Sequence, residues 1–317
     1  MSLIDTHCHI HAAKKSRRDL TAKKWQEAGE TDPDALVRSA AESGVDKLLC
    51  VGTDLEDSQD AVESVQDKDN CWASIGVHPH EAAQFFHAEP TQQRAKPSAE
   101  SALSAHRGVD NSSAPSQYRS YSSVRASSSP SAASERERIV QIKELLMQPK
   151  VIAIGEVGLD YYYEHSPRKD QIKLLEMFLQ LAADKGLPVI FHVRDAFDDF
   201  WPLLANFVGV TGVLHSFTST MSNLDKACRE GLLIGLNGIM TFTKDEDQLA
   251  MAKNVPLEHL VLETDAPYLA PKPHRGKICK PQYVKDTAEF LCELRKEKFD
   301  KLAFQTSKNA TELFKLY

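Results

Sequence analysis

The stretch that decides the fold lies near the start of the chain and runs Leu3-Ile4-Asp5-Thr6-His7-Cys8-His9-Ile10. Its apolar beginning predicts a β-strand, and side chains alternate between the two faces of a strand. We therefore expect His7 and His9 on one face and Cys8 on the other. Two imidazoles so placed can bind one metal ion from one side. Taken alone, the motif is explained equally well by two ordinary, partly buried histidines.

The composition is that of a globular protein that can bury a sizeable core. The 317 residues are 42% hydrophobic and 26% charged, which fits one large α/β domain or two ordinary ones. The net charge of −7 argues against a global attraction to nucleic acid, but it does not exclude a local phosphate site. We expect no transmembrane helix, because no run of about 18 apolar residues occurs. We expect no signal peptide either, because Asp5 and the histidines stand where its apolar region would be.

The six cysteines are scattered and form no CxxC pair, so structural disulfides and a zinc knuckle are not expected. This usage fits a reducing compartment and predicts a cytoplasmic protein, with the nucleus as the alternative. Nothing in the sequence indicates an obligate protein partner. The cysteines are Cys8, Cys50, Cys71, Cys228, Cys279 and Cys292.

Short apolar runs alternate with amphipathic stretches along the chain. Eight runs are predicted strands: Leu3–His9, Lys47–Thr53, Cys71–His78, Val151–Asp160, Leu187–Arg194, Gly212–Phe217, Leu232–Gly238 and His259–Asp265. The predicted helices include Pro33–Ser43, Gln171–Lys185, Asp198–Phe207, Ser222–Glu230, Asp245–Asn254, Gln282–Lys296 and Ala303–Phe314. This alternation predicts an α/β protein with eight parallel strands, a closed (β/α)8 TIM barrel. A doubly wound open sheet is the alternative, but no Gly-rich phosphate loop follows the first strand.

One segment, Ser98–Ser134, interrupts the alternation between the third and fourth strands. It holds 14 serines in 37 residues, and its large aliphatic residues are Leu103, Val109 and Val124 alone. Such a segment buries too little apolar surface to offset the entropy of ordering. We therefore predict a single domain over residues 1–317 with a flexible insertion at 98–134. A solvated insert without catalytic role is favoured over a phosphorylated one.

Six of the eight predicted strands carry histidine or carboxylate near their C-terminal ends. A barrel brings these ends together on one rim, where active sites are built. A single histidine at the end of a strand is more often a core residue whose ring is hydrogen-bonded. Six strands that all carry histidine or carboxylate at the same rim are poorly explained in that way. The predicted ligands of a metal site at this rim are His7, His9, Glu156, His192, His215 and Asp265.

This set exceeds what one four-coordinate ion requires. Two ions, about 3.5–4 Å apart in sites of this type, would use it, and Glu156 could bridge them with its two oxygens. Mixed imidazole and carboxylate ligands suit Zn, Mn, Fe or, with enough waters, Mg. A bound divalent ion makes water a nucleophile near neutral pH, and Asp265 is the candidate general base for that water.

Other polar residues near the same rim have expected roles. Arg194 follows His192 by two residues and could clamp a phosphate, although a surface ion pair is as good an explanation. Asp160 and Glu263 are expected to orient ligands or substrate. Further along, basic residues follow the eighth strand and would meet phosphates if they are not merely solvated: Lys272, His274, Arg275, Lys277 and Lys280.

His78 and His80 could contact substrate, with a structural turn around Pro79 as the alternative. The remaining histidines have no place in the predicted site, and we expect them at the surface: His11, His87, His106, His165 and His259.

In this order, the motifs resemble those of the TatD family of metal-dependent deoxyribonucleases, within the amidohydrolase-like hydrolases. The matching stretches are Asp5–His9, Gly76–His80, Gly155–Tyr162, His192–Arg194, His215–Phe217 and Glu263–Pro267. The resemblance implies a TIM barrel and two divalent ions, most simply Mg²⁺, with Mn²⁺ or Zn²⁺ as alternatives. It also implies hydrolysis of DNA, often as a 3′→5′ exonuclease that prefers single strands.

By the same resemblance, one ion would be held by His7, His9, Glu156 and Asp265, and the other by Glu156, His192 and His215. The sequence departs from the family at Lys280, where the usual residue is glutamate. Two rival functions remain open. One is hydrolysis of a small amide, lactone or phosphate ester, disfavoured because those enzymes often bridge their metals with a carbamylated lysine. The other is a non-catalytic scaffold, against which the intact ligand set argues.

Overall fold

Eight parallel strands follow one another around the sheet in the order of the chain, each hydrogen-bonded to the next. The computed structural model describes residues 2–14, 19–87 and 135–317. Its strands are β1 (Leu3–Cys8), β2 (Val45–Val51), β3 (Cys71–Ile75), β4 (Val151–Asp160), β5 (Val189–Arg194), β6 (Gly212–Leu214), β7 (Leu233–Leu236) and β8 (Leu260–Leu262).

The barrel closes between β1 and the segment that follows β8. The backbone N–H of Asp265 donates to the carbonyl of His7 at 2.8 Å, and that of His9 donates to Ala266 at 2.8 Å. The predicted (β/α)8 barrel is confirmed. These closing bonds place two strand ends that carry predicted ligands side by side.

Helices connect the strands on the outside of the barrel. Many begin at a residue that accepts a hydrogen bond from the first turn; Asp54, for example, accepts from the N–H of Asp57 at 2.8 Å. The helices of the described ranges are α1 (Leu20–Glu27), α2 (Pro33–Glu42), α3 (Leu55–Val65), α4 (Ala82–Phe86), α5 (Glu135–Leu145), α6 (Arg168–Lys185), α7 (Phe197–Leu204), α8 (Met221–Arg229), α9 (Glu246–Asn254), α10 (Val284–Arg295) and α11 (Phe299–Phe314).

Alternation along the strands separates two apolar layers. On β2, Leu48 and Cys50 pack in the outer layer with the helices, whereas Leu49 and Val51 join the apolar filling of the barrel. Phe314, at the end of α11, packs against that filling. The apolar interior therefore ends in a polar layer at the C-terminal rim of the strands.

The predicted insertion at 98–134, together with His106, lies outside the described residues. Among those that are described, no helix has the length and apolar character needed to cross a membrane.

Candidate metal centre

Glu156 lies at the centre of the rim and is 2% exposed. The pairing of β4 with β5 shifts by one residue between Ile154 and Val157, so Glu156 sits on a bulge. Bulges redirect side chains and are frequent beside active sites. The two carboxylate oxygens of Glu156 face different groups of histidines.

The first group lies on the Oε2 side. Nε2 of His7 is 3.4 Å from Oε2 of Glu156. Oδ1 of Asp265 is 3.8 Å from the same His7 atom and 3.3 Å from Nε2 of His9. His7, His9 and Asp265 are all buried. Four of the six predicted ligands therefore share one pocket.

The second group lies on the Oε1 side. Nδ1 of His192 is 2.8 Å from Oε1 of Glu156, and Nε2 of His215 is 3.7 Å from it. Nε2 of His78 is 3.4 Å from the same oxygen. The structure therefore brings all six predicted ligands together, and it places His78, a predicted substrate contact, against Glu156.

Asp5, which is not among the predicted ligands, joins the two segments that close the barrel. Its Oδ1 accepts from the N–H of Thr264 at 2.9 Å and from that of His7 at 3.2 Å. Its Oδ2 accepts from the Thr264 hydroxyl at 2.6 Å. Asp5 thereby positions His7 and Asp265 relative to each other. The available signal was a carboxylate within an otherwise apolar strand.

A second contact fixes the orientation of His9. Its Nδ1–H donates to the carbonyl of Val51 at 2.8 Å. Because Nδ1 is bonded to this carbonyl, Nε2 faces Asp265 and is the ring nitrogen that a metal ion could bind.

Several buried atoms of the cluster lack a hydrogen-bond partner among the described residues. They are both ring nitrogens of His7, Nε2 of His9, Oε2 of Glu156 and Oδ1 of Asp265. Burying polar atoms without partners is costly. Nε2 of His7 lies close to Oε2 of Glu156 and Oδ1 of Asp265, and Nε2 of His9 lies close to the same Asp265 oxygen, so a divalent cation between them would satisfy these four atoms together. These imidazole nitrogens and carboxylate oxygens are therefore suitable ligands for a divalent metal ion.

The electrostatics divide the histidines of the cluster into two sets. Burial lowers the pKa of His7 to about 4 and that of His78 to about 3, so both rings are neutral at pH 7. Burial alone would raise the pKa of Glu156, but the facing imidazoles, His215 foremost, hold it well below its usual range. Burial also lowers the pKa of His9, His192 and His215, but the facing carboxylates outweigh it and raise the pKa of His9, that of His192 to about 9 and that of His215 to about 10. Metal binds neutral imidazole and ionised carboxylate, so a bound cation would have to displace the protons of these three rings.

Glu263 supports His215. Its Oε1 lies 3.1 Å from Nδ1 of His215 and accepts from the N–H of Ser216 at 2.6 Å. Gly235 makes room for this carboxylate, since a Cβ there would lie 2.4 Å from Oε2 of Glu263. The residue is thus placed to orient a ligand, in line with its predicted role.

Asp160 has the same relation to His192. Its Oδ2 accepts from Nε2 of His192 at 3.1 Å and from Nε2 of His80 at 3.0 Å. Asp160 and His78 are 0% and 1% exposed, and His80 is 7% exposed. These three predicted substrate contacts therefore lie beneath the surface of the site, and Asp160 holds histidines in place.

Arg194, the last residue of β5, reaches the same rim. Its guanidinium lies over the ring of Tyr162, 4.1 Å from the ring centre. Arg275 lies over Phe242 at 3.7 Å. In the predicted basic loop, Lys280 forms an ion pair with Glu30.

His11 contradicts the expectation of a surface position. It is fully buried, and its Nε2 donates to Oδ1 of Asp57 at 2.9 Å. The same Asp57 carboxylate accepts from the N–H and hydroxyl of Thr53. Burial lowers the pKa of His11, but the charge of Asp57 outweighs it and raises the pKa to about 9. His11 can be buried because Asp57, 46 residues away in the sequence, is its hydrogen-bond partner. The sequence around His11 gives no sign of this contact.

Comparison with known proteins places these features in a family. A family model described as TatD related DNase matches residues 4–315. The chain is 28% identical over 318 residues to an uncharacterized metal-dependent hydrolase of Bacillus subtilis, covering 99% of each protein. It is 30% identical over 293 residues to a 3′-5′ ssDNA/RNA exonuclease TatD of Erwinia amylovora, covering 90% of this chain and 94% of the relative.

Solved structures share the fold. The TatD homologue YjjV of Escherichia coli superimposes with a TM-score of 0.73 at 23% identity, covering 99% of this chain and 98% of the other. A TatD family hydrolase of Entamoeba histolytica gives 0.72 at 19% identity, covering 100% and 99%. Since the family model spans nearly the whole chain, this protein belongs to the TatD-related DNase family and is a metal-dependent hydrolase.

Proposed function

We propose that this enzyme hydrolyses phosphodiester bonds of single-stranded DNA from the 3′ end, with two divalent ions bound at Glu156. The observation that carries the proposal is the division of ligands between the two oxygens of one buried carboxylate. Oε2 faces His7, whereas Oε1 faces His192 and His215. A carboxylate arranged in this way can bridge two ions.

His7, His9, Glu156 and Asp265 would hold one ion, and Glu156, His192 and His215 would hold the other. His78 is left out of both ligand sets: its Nδ1 accepts from the N–H of His80 at 3.2 Å, so the neutral ring carries its proton on Nε2, which faces Oε1 of Glu156. Mg²⁺ is the proposed metal, with Mn²⁺ and Zn²⁺ as alternatives. When bound at these residues, the ions would supply an acidic water near neutral pH and positive charge for the phosphate.

The residues of the chain perform the other steps. Asp265 directs Oδ1 toward His7 and His9. We assign to its Oδ2 the acceptance of the proton that the attacking water loses. Glu263 and Asp160 hold the rings of His215 and His192 in fixed orientations. Arg194 is placed to meet a phosphate at the rim.

Substrate class and polarity are supported by the relatives named 3′-5′ ssDNA/RNA exonuclease TatD. The net charge of −7 is compatible with such a substrate, because the ions and Arg194 would supply positive charge locally. Cytoplasmic location remains a prediction from the cysteine usage.

The test is incubation of the purified full chain with a 5′-labelled single-stranded oligonucleotide across titrations of Mg²⁺ and Mn²⁺. We expect a ladder that shortens from the 3′ end, that depends on added metal and that disappears with EDTA. The same oligonucleotide annealed to its complement should be cut more slowly. Turnover of small esters or amides without cleavage of either DNA would contradict the proposed nuclease and favour a small-molecule hydrolase.

A further inference from the structure

Four side chains beside the metal centre form a cluster that we call the aromatic platform: Tyr162, Tyr163, His165 and Arg194. The Arg194 guanidinium lies 4.1 Å from the ring centre of Tyr162 and 4.9 Å from that of Tyr163. The Tyr163 ring is nearly parallel to that of His165, at 14° and 5.7 Å between centres. Tyr162 is 51% exposed and meets Tyr163 edge to face at 4.7 Å. The platform is thus a set of preassembled π-surfaces with a cation on them.

One carboxylate ties this platform to the metal centre. Oδ1 of Asp160 accepts from the backbone N–H of Tyr162 at 3.0 Å and from that of Tyr163 at 2.9 Å. Oδ2 of the same residue accepts from His192. Asp160 is also the register partner of Arg194 across β4 and β5. A molecule that binds on the platform would therefore lie next to the residues of the metal centre.

The chemistry of the platform matches a nucleotide. Aromatic rings stack on nucleobases whatever their sequence, and an arginine on such a surface adds charge for the neighbouring phosphate. A base in a duplex is already paired and stacked, whereas a base near a single-stranded end is available. A small ester or amide without a second planar group would gain nothing from this surface.

We propose, building on the nuclease function proposed above, that the aromatic platform binds a nucleobase next to the scissile phosphodiester of a single-stranded substrate. Tyr162 is the stacking surface, and Arg194 neutralises the adjoining phosphate. The platform thereby selects single-stranded ends, while the metal centre performs the hydrolysis.

The experiment pairs a change in the protein with a change in the substrate. The protein variants are Tyr162→Leu, which removes the ring, and Tyr162→Phe, which keeps it. Tyr317→Leu is the matched control. Tyr317 is 91% exposed, and the carbonyl of the preceding Leu316 accepts from Lys47 near the start of β2, away from the C-terminal rim. The substrates are a single-stranded oligonucleotide and versions with one abasic residue, placed in turn at the nucleotides nearest the 3′ end.

For the wild-type enzyme, an abasic residue at one of these places should lower kcat/KM about tenfold, mainly through KM. Tyr162→Leu should show a similar loss on the intact strand and little further loss on the abasic one, because the stacking partner is already absent. Tyr162→Phe and Tyr317→Leu should behave like the wild type. Melting temperatures near the wild-type value would show that the variants fold.

Three results would overturn the platform while leaving the nuclease intact. They are equal turnover by wild type and Tyr162→Leu, an abasic penalty that is unchanged in Tyr162→Leu, and a wild type insensitive to abasic residues. The last needs no variant, so it decides the matter even if Tyr162→Leu does not fold. A wild type that cleaves no strand at all would instead contradict the nuclease function itself.

Discussion

Nδ1 of His192 lies 2.8 Å from Oε1 of Glu156, on the side of the carboxylate opposite to His7. Because each oxygen serves its own group of histidines, removing the charge of Glu156 should weaken both halves of the site. Substitution of Asp265, the proposed proton acceptor, should therefore change the metal dependence of activity differently from substitution of Glu156, which would bind both ions.

Asp265→Asn keeps the size of the side chain but removes the carboxylate that we assign as proton acceptor. Loss of a general base typically lowers the rate about 10²–10⁴-fold. Turnover of single-stranded DNA should therefore stay low even at saturating Mg²⁺ or Mn²⁺. Wild-type turnover at any metal concentration would remove Asp265 from this role.

Glu156→Gln should first lose metal affinity, so part of its activity should return as the metal concentration rises. A metal titration of activity measures this directly. Asp198→Asn, a change of the same kind at an exposed position on α7, should leave the titration unchanged. Complete inactivity of Glu156→Gln at all metal concentrations would show that its charge is needed beyond binding.

The carboxylates that hold the histidines should act on affinity as well. Asp160→Asn and Glu263→Gln remove the charged partners of His192 and His215. Loss of such supporting contacts typically lowers metal affinity about 10–100-fold. Half-maximal activity should therefore require more Mn²⁺, with near-normal turnover at saturation. A lower maximal rate with unchanged metal dependence would instead indicate direct contact with the substrate.

Gly158 allows β4 and β5 to approach each other beside His192. A Cβ at Gly158 would lie 1.8 Å from the carbonyl oxygen of His192, so Gly158→Ala should separate the strands. We expect a loss of unfolding free energy of about 4 kcal/mol or more. Gly209→Ala is the control: φ is also positive, at +87°, but nothing lies within 4 Å. It should cost only about 1–2 kcal/mol. Equal losses in urea unfolding would show that the close approach is unimportant.

The Ser-rich segment can be tested by removal. Deletion of 98–134 should leave the melting temperature and metal-dependent hydrolysis nearly unchanged, because its composition offers little to a core. Thermal unfolding followed by circular dichroism, together with the hydrolysis assay, measures both. A large drop in melting temperature would show that the segment contributes to folding.

The architecture was predictable because each strand is a short apolar run and each connection carries helical periodicity. Parallel strands joined by helices leave few topologies. The predicted strand bounds were generally too long at their C-terminal ends. The stretch after Leu262, for example, continues as irregular chain that carries Asp265. Glu263, Thr264 and Asp265 are buried like strand residues, although β8 ends before them.

The ligands were accessible to sequence reasoning because a barrel collects strand ends on one rim. Their exact placement was not. Bulges between Asp5 and Cys8 in β1 and between Ile154 and Val157 in β4 shift the alternation by one residue. Such bulges depend on neighbouring strands and leave no local pattern. The partners of His11 and His78 likewise come from distant parts of the chain.

The most direct test of the two-ion centre is the metal content and position at Glu156. Crystals of the full chain soaked in Mn²⁺ can be measured for anomalous scattering, with the Mn²⁺ content of the protein determined in parallel. We expect two peaks per chain, one on the side of His7, His9 and Asp265 and one on the side of His192 and His215. A single ion, or ions bound away from Glu156, would contradict the account.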